Sequence, residues 1–233
     1  MDSYVLNEQP KNARFIITAF QTAGYISLLA VKYLEEQKAI KDIGYINIDS
    51  MQEFGTVIDG VIQSPIRILL GDSALFVTSQ FPLPQASIDS IVQQIIALSK
   101  KFKPEYVIAL DGIGIDSAKD TSHVYYASND SEAKLEKVQK LKEGAIIGIN
   151  SELSFKTKEI NVPMLTLMAE THSSIPDGIA ASALISVLGQ ITGMNVDTSK
   201  LVSEYKKTIS KINEIFKRAQ KPVSPSDKEN MYG

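Results

Sequence analysis

Arg14–Gln37 reads RFIITAFQTAGYISLLAVKYLEEQ. The run Arg14–Phe20 is short and apolar, which predicts a buried strand. Gln21-Thr22-Ala23-Gly24 follows as a tight turn. From Tyr25 the apolar residues Leu28, Leu29, Val31 and Leu34 fall at helical spacing, so a helix is expected to Gln37. Strand, glycine turn and helix together open an α/β unit. Ile43–Ile48 is the next expected strand and completes a βαβ.

The pattern continues outward from this unit. Ile66–Leu70 and Ala74–Ser79 are strand-like runs separated by Gly71-Asp72-Ser73, a hairpin signal. An antiparallel pair inside an alternating chain predicts a mixed sheet. Ala86–Lys101 is an amphipathic helix. Tyr106–Leu110 (YVIAL) reads as a central strand, with Asp111-Gly112-Ile113-Gly114 as a glycine turn beyond it. Val124–Ala127 reads as a weak strand, polar Asp130–Leu141 as a short helix, Ala145–Ile149 as an apolar run and Val162–Met168 as a late strand. Ile175–Thr192 is an alanine-rich helix closed by Gly193. A last helix opens at Val196–Ser199 and runs to Ala219, with Leu201, Tyr205, Ile209, Ile212 and Phe216 on one narrow stripe. The expected organisation is an α/β core over residues 1–195, a C-terminal helix over 196–219 and a flexible tether over 220–233.

Composition removes several classes of function. The 233 residues contain no cysteine, so disulfides, thiolate metal sites and cysteine nucleophiles are absent together. A net charge of −3 provides no global field for nucleic acid. The basic residues Lys206, Lys207, Lys211, Lys217, Arg218 and Lys221 make one face of the last helix cationic, which reads as a solvated face favoured by the helix dipole. Ile175–Met194 carries Asp177, Ser182, Ser186 and Gln190, so it reads as a packed helix and no membrane span is expected. No signal peptide is read at Met1–Lys11, and a cytoplasmic location is expected.

Three enzyme readings compete. Gly71-Asp72-Ser73-Ala74-Leu75 is similar to the Gly-Asp-Ser-Leu block of an esterase family, with His123 as base and Asp120 as its orienter. Yet Ser73 precedes an expected strand, and the hairpin accounts for it better. Gly112 and Gly114 supply two of three dinucleotide-fingerprint glycines, with Ser117 at the third position, so nucleotide binding there is a weaker reading. The only histidines, His123 and His172, lie far apart and give no metal motif. No catalytic residue, metal ligand or cofactor is therefore assigned, and the chain reads as a non-enzyme.

The end of the chain offers different chemistry. Gln220–Asn230 (QKPVSPSDKEN) buries too little apolar surface to offset its ordering entropy. Beyond it stand Met231-Tyr232-Gly233. Tyr232 brings an apolar ring and a hydroxyl, Met231 an adaptable apolar anchor, and Gly233 a carboxylate able to pair with a lysine.

The strand-Gly24-helix opening, Gly144-Ala145-Ile146-Ile147-Gly148, and Met168–Thr171 leading to Pro176–Ala181, in that order, resemble the proteasome assembly chaperone family. The resemblance includes its archaeal homologues of the PbaA/PbaB type and spans nearly the whole chain from about Phe15. The terminal Met231-Tyr232-Gly233 resembles the hydrophobic-Tyr-X docking tail of the PbaB-type members. The resemblance implies a three-layer α/β fold akin to nucleoside phosphorylases and hydrolases, with helices on both faces of a mixed sheet. It also implies a homo-oligomer, tetramers among them, and ATP-independent action on the proteasome core-particle α-ring, with the tail favouring an open gate. The alternative is an enzyme or a nucleoside- or nucleotide-binding protein on the same fold.

Overall fold

The computed structural model describes residues 2–51, 55–58, 60–115, 121–171 and 176–219, with backbone alone at 58 and 211–219. Asp116, Ser117, Asp120, His172, Ile175, the tether and Met231-Tyr232-Gly233 lie outside the described residues.

The strands are β1 (Ser3–Leu6), β2 (Phe15–Ala19), β3 (Lys41–Asn47), β4 (Thr56–Ile58), β5 (Val61–Gln63), β6 (Ile66–Leu70), β7 (Ala74–Ser79), β8 (Tyr106–Gly114), β9 (Val124–Ser128), β10 (Gln139–Lys140) and β11 (Met164–Thr171). The helices are α1 (Ile26–Glu36), α2 (Ile88–Phe102), α3 (Ile149–Glu159), α4 (Gly178–Thr192) and α5 (Ser199–Ala219). Nine strands form one sheet in the order β1-β3-β6-β7-β2-β8-β11-β9-β10, and β4 and β5 pair as a separate hairpin. β7, β2, β8 and β11 run parallel at its centre, and both flanks turn antiparallel. The expected mixed sheet and the β6–β7 hairpin are both present.

The central strands are apolar on both sides because both sides are covered. On β2, Phe15, Ile17 and Ala19 join one core cluster, with Leu34 of α1 and Leu184 of α4. Ile16 joins the opposite cluster, with Ile91 and Ile95 of α2 and Leu153 of α3. Two-residue alternation thus splits one apolar run between two layers, the outcome expected of a parallel strand buried on both faces. α1 packs on α4 and α2 on α3, so the chain has three layers.

Three expectations need correction. The βαβ expected from β2, α1 and β3 does join two strands of the same direction, but β6 and β7 lie between them. Asp130–Leu141 is not a helix. The Ser128 hydroxyl accepts from Asp130 N at 3.1 Å and the Asp130 carboxylate from Glu132 N at 2.9 Å. These local bonds compete with helical ones and turn the chain towards β10. The glycines at 112 and 114 do not form a turn, since β8 continues through them, pairing Gly112 with Ala169 and Gly114 with Thr171. The apolar run before α3 is an open loop, in which Ile147 is 83% exposed.

Candidate functional site

A crevice of about 780 Å³ opens at the carboxyl ends of β2, β7 and β8. It lies where the connections diverge. The loop after β2 leads to α1 on one face of the sheet, and the loop after β7 leads to α2 on the other. Such switch points are where open α/β sheets hold ligands, because neighbouring loops part and leave a gap.

The β2–α1 turn forms one wall, with Gln21, Thr22 and Ala23. It is tightly held. Gly24 and Tyr25 both take positive φ, 64° and 51°. The first suits glycine, whereas the second places a tyrosine where L-residues are strained by about 1–2 kcal/mol. The Ser27 hydroxyl donates to the Phe20 carbonyl, and Asp177 N donates to the Gly24 carbonyl at 3.0 Å. Gly112 makes this arrangement possible, because a Cβ there would stand 2.8 Å from the Ala23 carbonyl oxygen. The need for glycine at 112 is thus close approach of another backbone, not a turn.

Asp111 lies on the floor. It shares a sheet face with Val107 and Ala109, towards α3. Its Oδ1 accepts from Gly112 N at 2.8 Å and its Oδ2 from Asn150 Nδ2 at 2.9 Å. Burial pushes its pKa above the usual aspartate range, and the two hydrogen bonds only partly oppose this. One layer deeper, Thr18 pairs with Ala109. Among the described residues its buried hydroxyl has no hydrogen-bond partner.

The opposite wall is the Ala145–Asn150 segment. Gly148 takes φ 69° and ψ −146°, a region essentially reserved for glycine, and no side chain caps the first turn of α3. A Cβ at Gly148 would meet nothing within 4 Å, so the cost of Gly148→Ala is purely one of backbone. That substitution is expected to lower unfolding free energy by about 1–3 kcal/mol. Urea denaturation measures it, and an unchanged midpoint would mean the wall has another conformation.

The esterase constellation does not assemble. Ser73 lies at the amino end of the parallel strands, where its carbonyl accepts from Phe15 N and its hydroxyl donates to the Thr192 carbonyl. His123 lies at the other end, its carbonyl accepting from Glu170 N. The span from Tyr106, level with Phe15, to Ile113, level with Glu170, is seven residues of β8, about 23 Å. Among the described residues no group of three or more acidic or histidine side chains could hold a metal ion. Among the same residues no helix is long and apolar enough to cross a membrane.

The terminal helix is the second feature of interest. Asp177 caps α4 by accepting from Ile179 N and Ala180 N at 3.0 and 3.1 Å, so the helix opens at Gly178, inside the span expected from the sequence. α5 then runs back along α4. Ser182 meets Thr198 hydroxyl to hydroxyl at 2.7 Å, and a Cβ on Gly178 would fall 2.7 Å from Tyr205 Cβ. Burial raises the pKa of the Tyr205 hydroxyl, and the nearby Asp177 carboxylate adds to the shift. Beyond Tyr205 the helix continues to Ala219, a further length of about 21 Å. The sequence reading missed Asp111, Asn150 and the α3 wall as a group, because α3 is polar and its contact with β8 is non-local.

Comparison with solved structures finds close overall likeness. The crystal structure of Pyrococcus furiosus PbaA, an archaeal homologue of proteasome-assembly chaperone, is 25% identical, with a TM-score of 0.80 over 95% of this chain and 100% of that one. The crystal structure of P. furiosus PbaB, an archaeal proteasome activator, is 18% identical, with a TM-score of 0.79 over 92% of this chain and 98% of that one. A Thermoplasma acidophilum protein of unknown function is 17% identical, with a TM-score of 0.72 over 90% and 89% of the two chains. Among curated proteins, a sequence search finds no match. The PAC2 family model matches residues 16–216, from the second residue of β2 to within three residues of the end of α5, and the chain belongs to the PAC2 family.

Proposed function

We propose that this chain is an ATP-independent proteasome assembly chaperone or activator that docks on the core-particle α-ring through Met231-Tyr232-Gly233. The observation that carries the reading is the likeness, over nearly the whole chain, to an assembly-chaperone homologue and to a proteasome activator. In this reading residues 1–195 are the body, 196–219 a helical stalk and 220–233 a tether. The unbroken run of α5 from Ser199 to Ala219 supports treating that segment as a unit of its own. In this proposal Tyr232 enters an apolar slot between α-subunits, and a carboxylate at Gly233 pairs with a lysine there. Engagement favours an open gate.

Energetics require more than one tail. A buried ring contributes about 1.5–3 kcal/mol, and a charged hydrogen bond about 1.5–3 kcal/mol. After ordering costs, a net of about 4 kcal/mol is only a millimolar affinity. Several tails on one homo-oligomer, a tetramer for instance, strengthen binding by about 10²–10⁴.

Co-sedimentation with purified core particle, alongside fluorogenic peptide hydrolysis, tests the proposal. The intact protein is expected to co-sediment, and Tyr232→Ala and a chain ending at Asn230 are expected to lose at least about tenfold in affinity. Stimulated hydrolysis lost in both variants identifies an activator. Tail-dependent binding without stimulation identifies an assembly factor. Binding that survives both changes refutes tail docking.

A further inference from the structure

The crevice at the carboxyl ends of β2, β7 and β8 has a lining with a definite chemical bias. We propose that it is a binding site for a small organic cation, an amine or amidine carried on a flat apolar body, with Asp111 as its counter-ion.

Charge argues for the cation. Among the described residues Asp111 is the one ionisable side chain of the crevice lining, and no described lysine or arginine contributes to it. A phosphate would therefore meet a carboxylate and no cation, which disfavours nucleotides. Each Asp111 oxygen accepts a single hydrogen bond from the protein, from Gly112 N and from Asn150 Nδ2. A carboxylate pair has about four acceptor positions, so it retains capacity for two parallel donors. An amidine presents donors in that geometry.

Shape argues for the apolar body. Phe20, Leu83, Ile88 and Ile149 supply apolar surface around the carboxylate. A volume of about 780 Å³ lies within the range of small-molecule sites, about 300–1,000 Å³. Ile147, 83% exposed at the rim, provides apolar surface that a ligand would cover. The walls are held by the Gly24–Tyr25 turn and by Gly148, backbone conformations that L-residues rarely adopt. A pocket held in shape before binding loses less entropy when it is filled.

Benzamidine and benzamide separate charge from shape, because the two are nearly isosteric and only the first is a cation. Isothermal titration of the full-length protein is expected to show benzamidine binding at least about tenfold tighter than benzamide, and adenosine monophosphate not competing. In Asp111→Asn the preference for benzamidine should disappear. Asn150 can turn its amide to accept from the new side chain, so an unchanged melting temperature establishes that this variant is folded. Tyr232→Ala should bind benzamidine as the wild type does, which separates this site from the tail. Equal binding of benzamidine and benzamide, competition by the monophosphate, unchanged benzamidine binding in Asp111→Asn, or no benzamidine binding by the wild type would each overturn the proposal.

Discussion

Arg67→Ala is expected to destabilise the protein by about 3 kcal/mol, the lower end of the cost of breaking a buried ion pair. Arg67 interrupts the apolar strand β6, and its side chain is 8% exposed. It points to the α1 side of the sheet. Its Nη2 donates to Glu35 Oε1 at 2.6 Å and its Nε to Asp42 Oδ2 at 2.7 Å, so one guanidinium ties β6 to α1 and β3. Burial opposes the guanidinium's charge, but hydrogen bonds and attraction from Glu35 and Asp42 outweigh it and shift its pKa upward. Alanine leaves the two carboxylates facing each other without their cation and forfeits the packing of the aliphatic stem. Both carboxylates keep partial access to water, which places the cost at the low end. Arg67→Lys should recover only part of the loss, since an ammonium lacks the planar fork that serves both partners. Urea unfolding of the three proteins measures this. A loss under about 1 kcal/mol for alanine would show that water satisfies the carboxylates as well as Arg67 does.

Phe76→Ala should cost about 3–5 kcal/mol, the usual cost of truncating a fully buried aromatic. Phe76 is 0% exposed on β7, between β6 and β2, and belongs to the core cluster containing Ile17, Leu34, Leu69 and Leu188. The backbone on both sides is fixed by ladder pairing, Leu69 with Phe76 and Ile17 with Phe76, so the site has little room to collapse. Against a typical total of about 5–15 kcal/mol, that loss is large enough to populate unfolded protein at moderate temperature. Phe76→Leu should cost less than half as much because it leaves a smaller cavity. Calorimetry or urea denaturation distinguishes them, and equal midpoints for alanine and leucine would mean that α1 settles into the gap.

The central strands were readable because each is apolar on both faces, a pattern that arises only when both faces are covered. β2, the β6–β7 hairpin, α2, α4 with its Gly193 close, and the helical run of α5 all follow from local pattern. Several other elements were not readable in this way. β1 is a short edge strand in a polar segment, and it becomes a strand by pairing Ser3–Leu6 with Asn47–Gly44. α3 has low amphipathicity, with Ile149, Asn150, Leu153 and Thr157 as its buried residues and only two of these apolar. At Asp130–Leu141 the polar composition suits a helix, but side-chain oxygens capture the backbone donors first.

The candidate crevice was legible only in fragments. The sequence placed Gly112 beyond a central strand and marked it as a possible ligand site, but assigned it a turn. Its requirement for glycine comes from the Ala23 carbonyl, far away in the chain. Asp111 and Asn150 come together only because α3 crosses the end of β8.

From the residue order alone, apolar periodicity and turn residues determine the layered α/β class and the mixed sheet, since these depend on neighbours within a few positions. Tertiary structure alone decides the strand order, the separation of Ser73 from His123 and the burial of Arg67 and Asp111. Those depend on which loops cross which strand ends, and a non-local contact leaves no period in the chain from which it could be read.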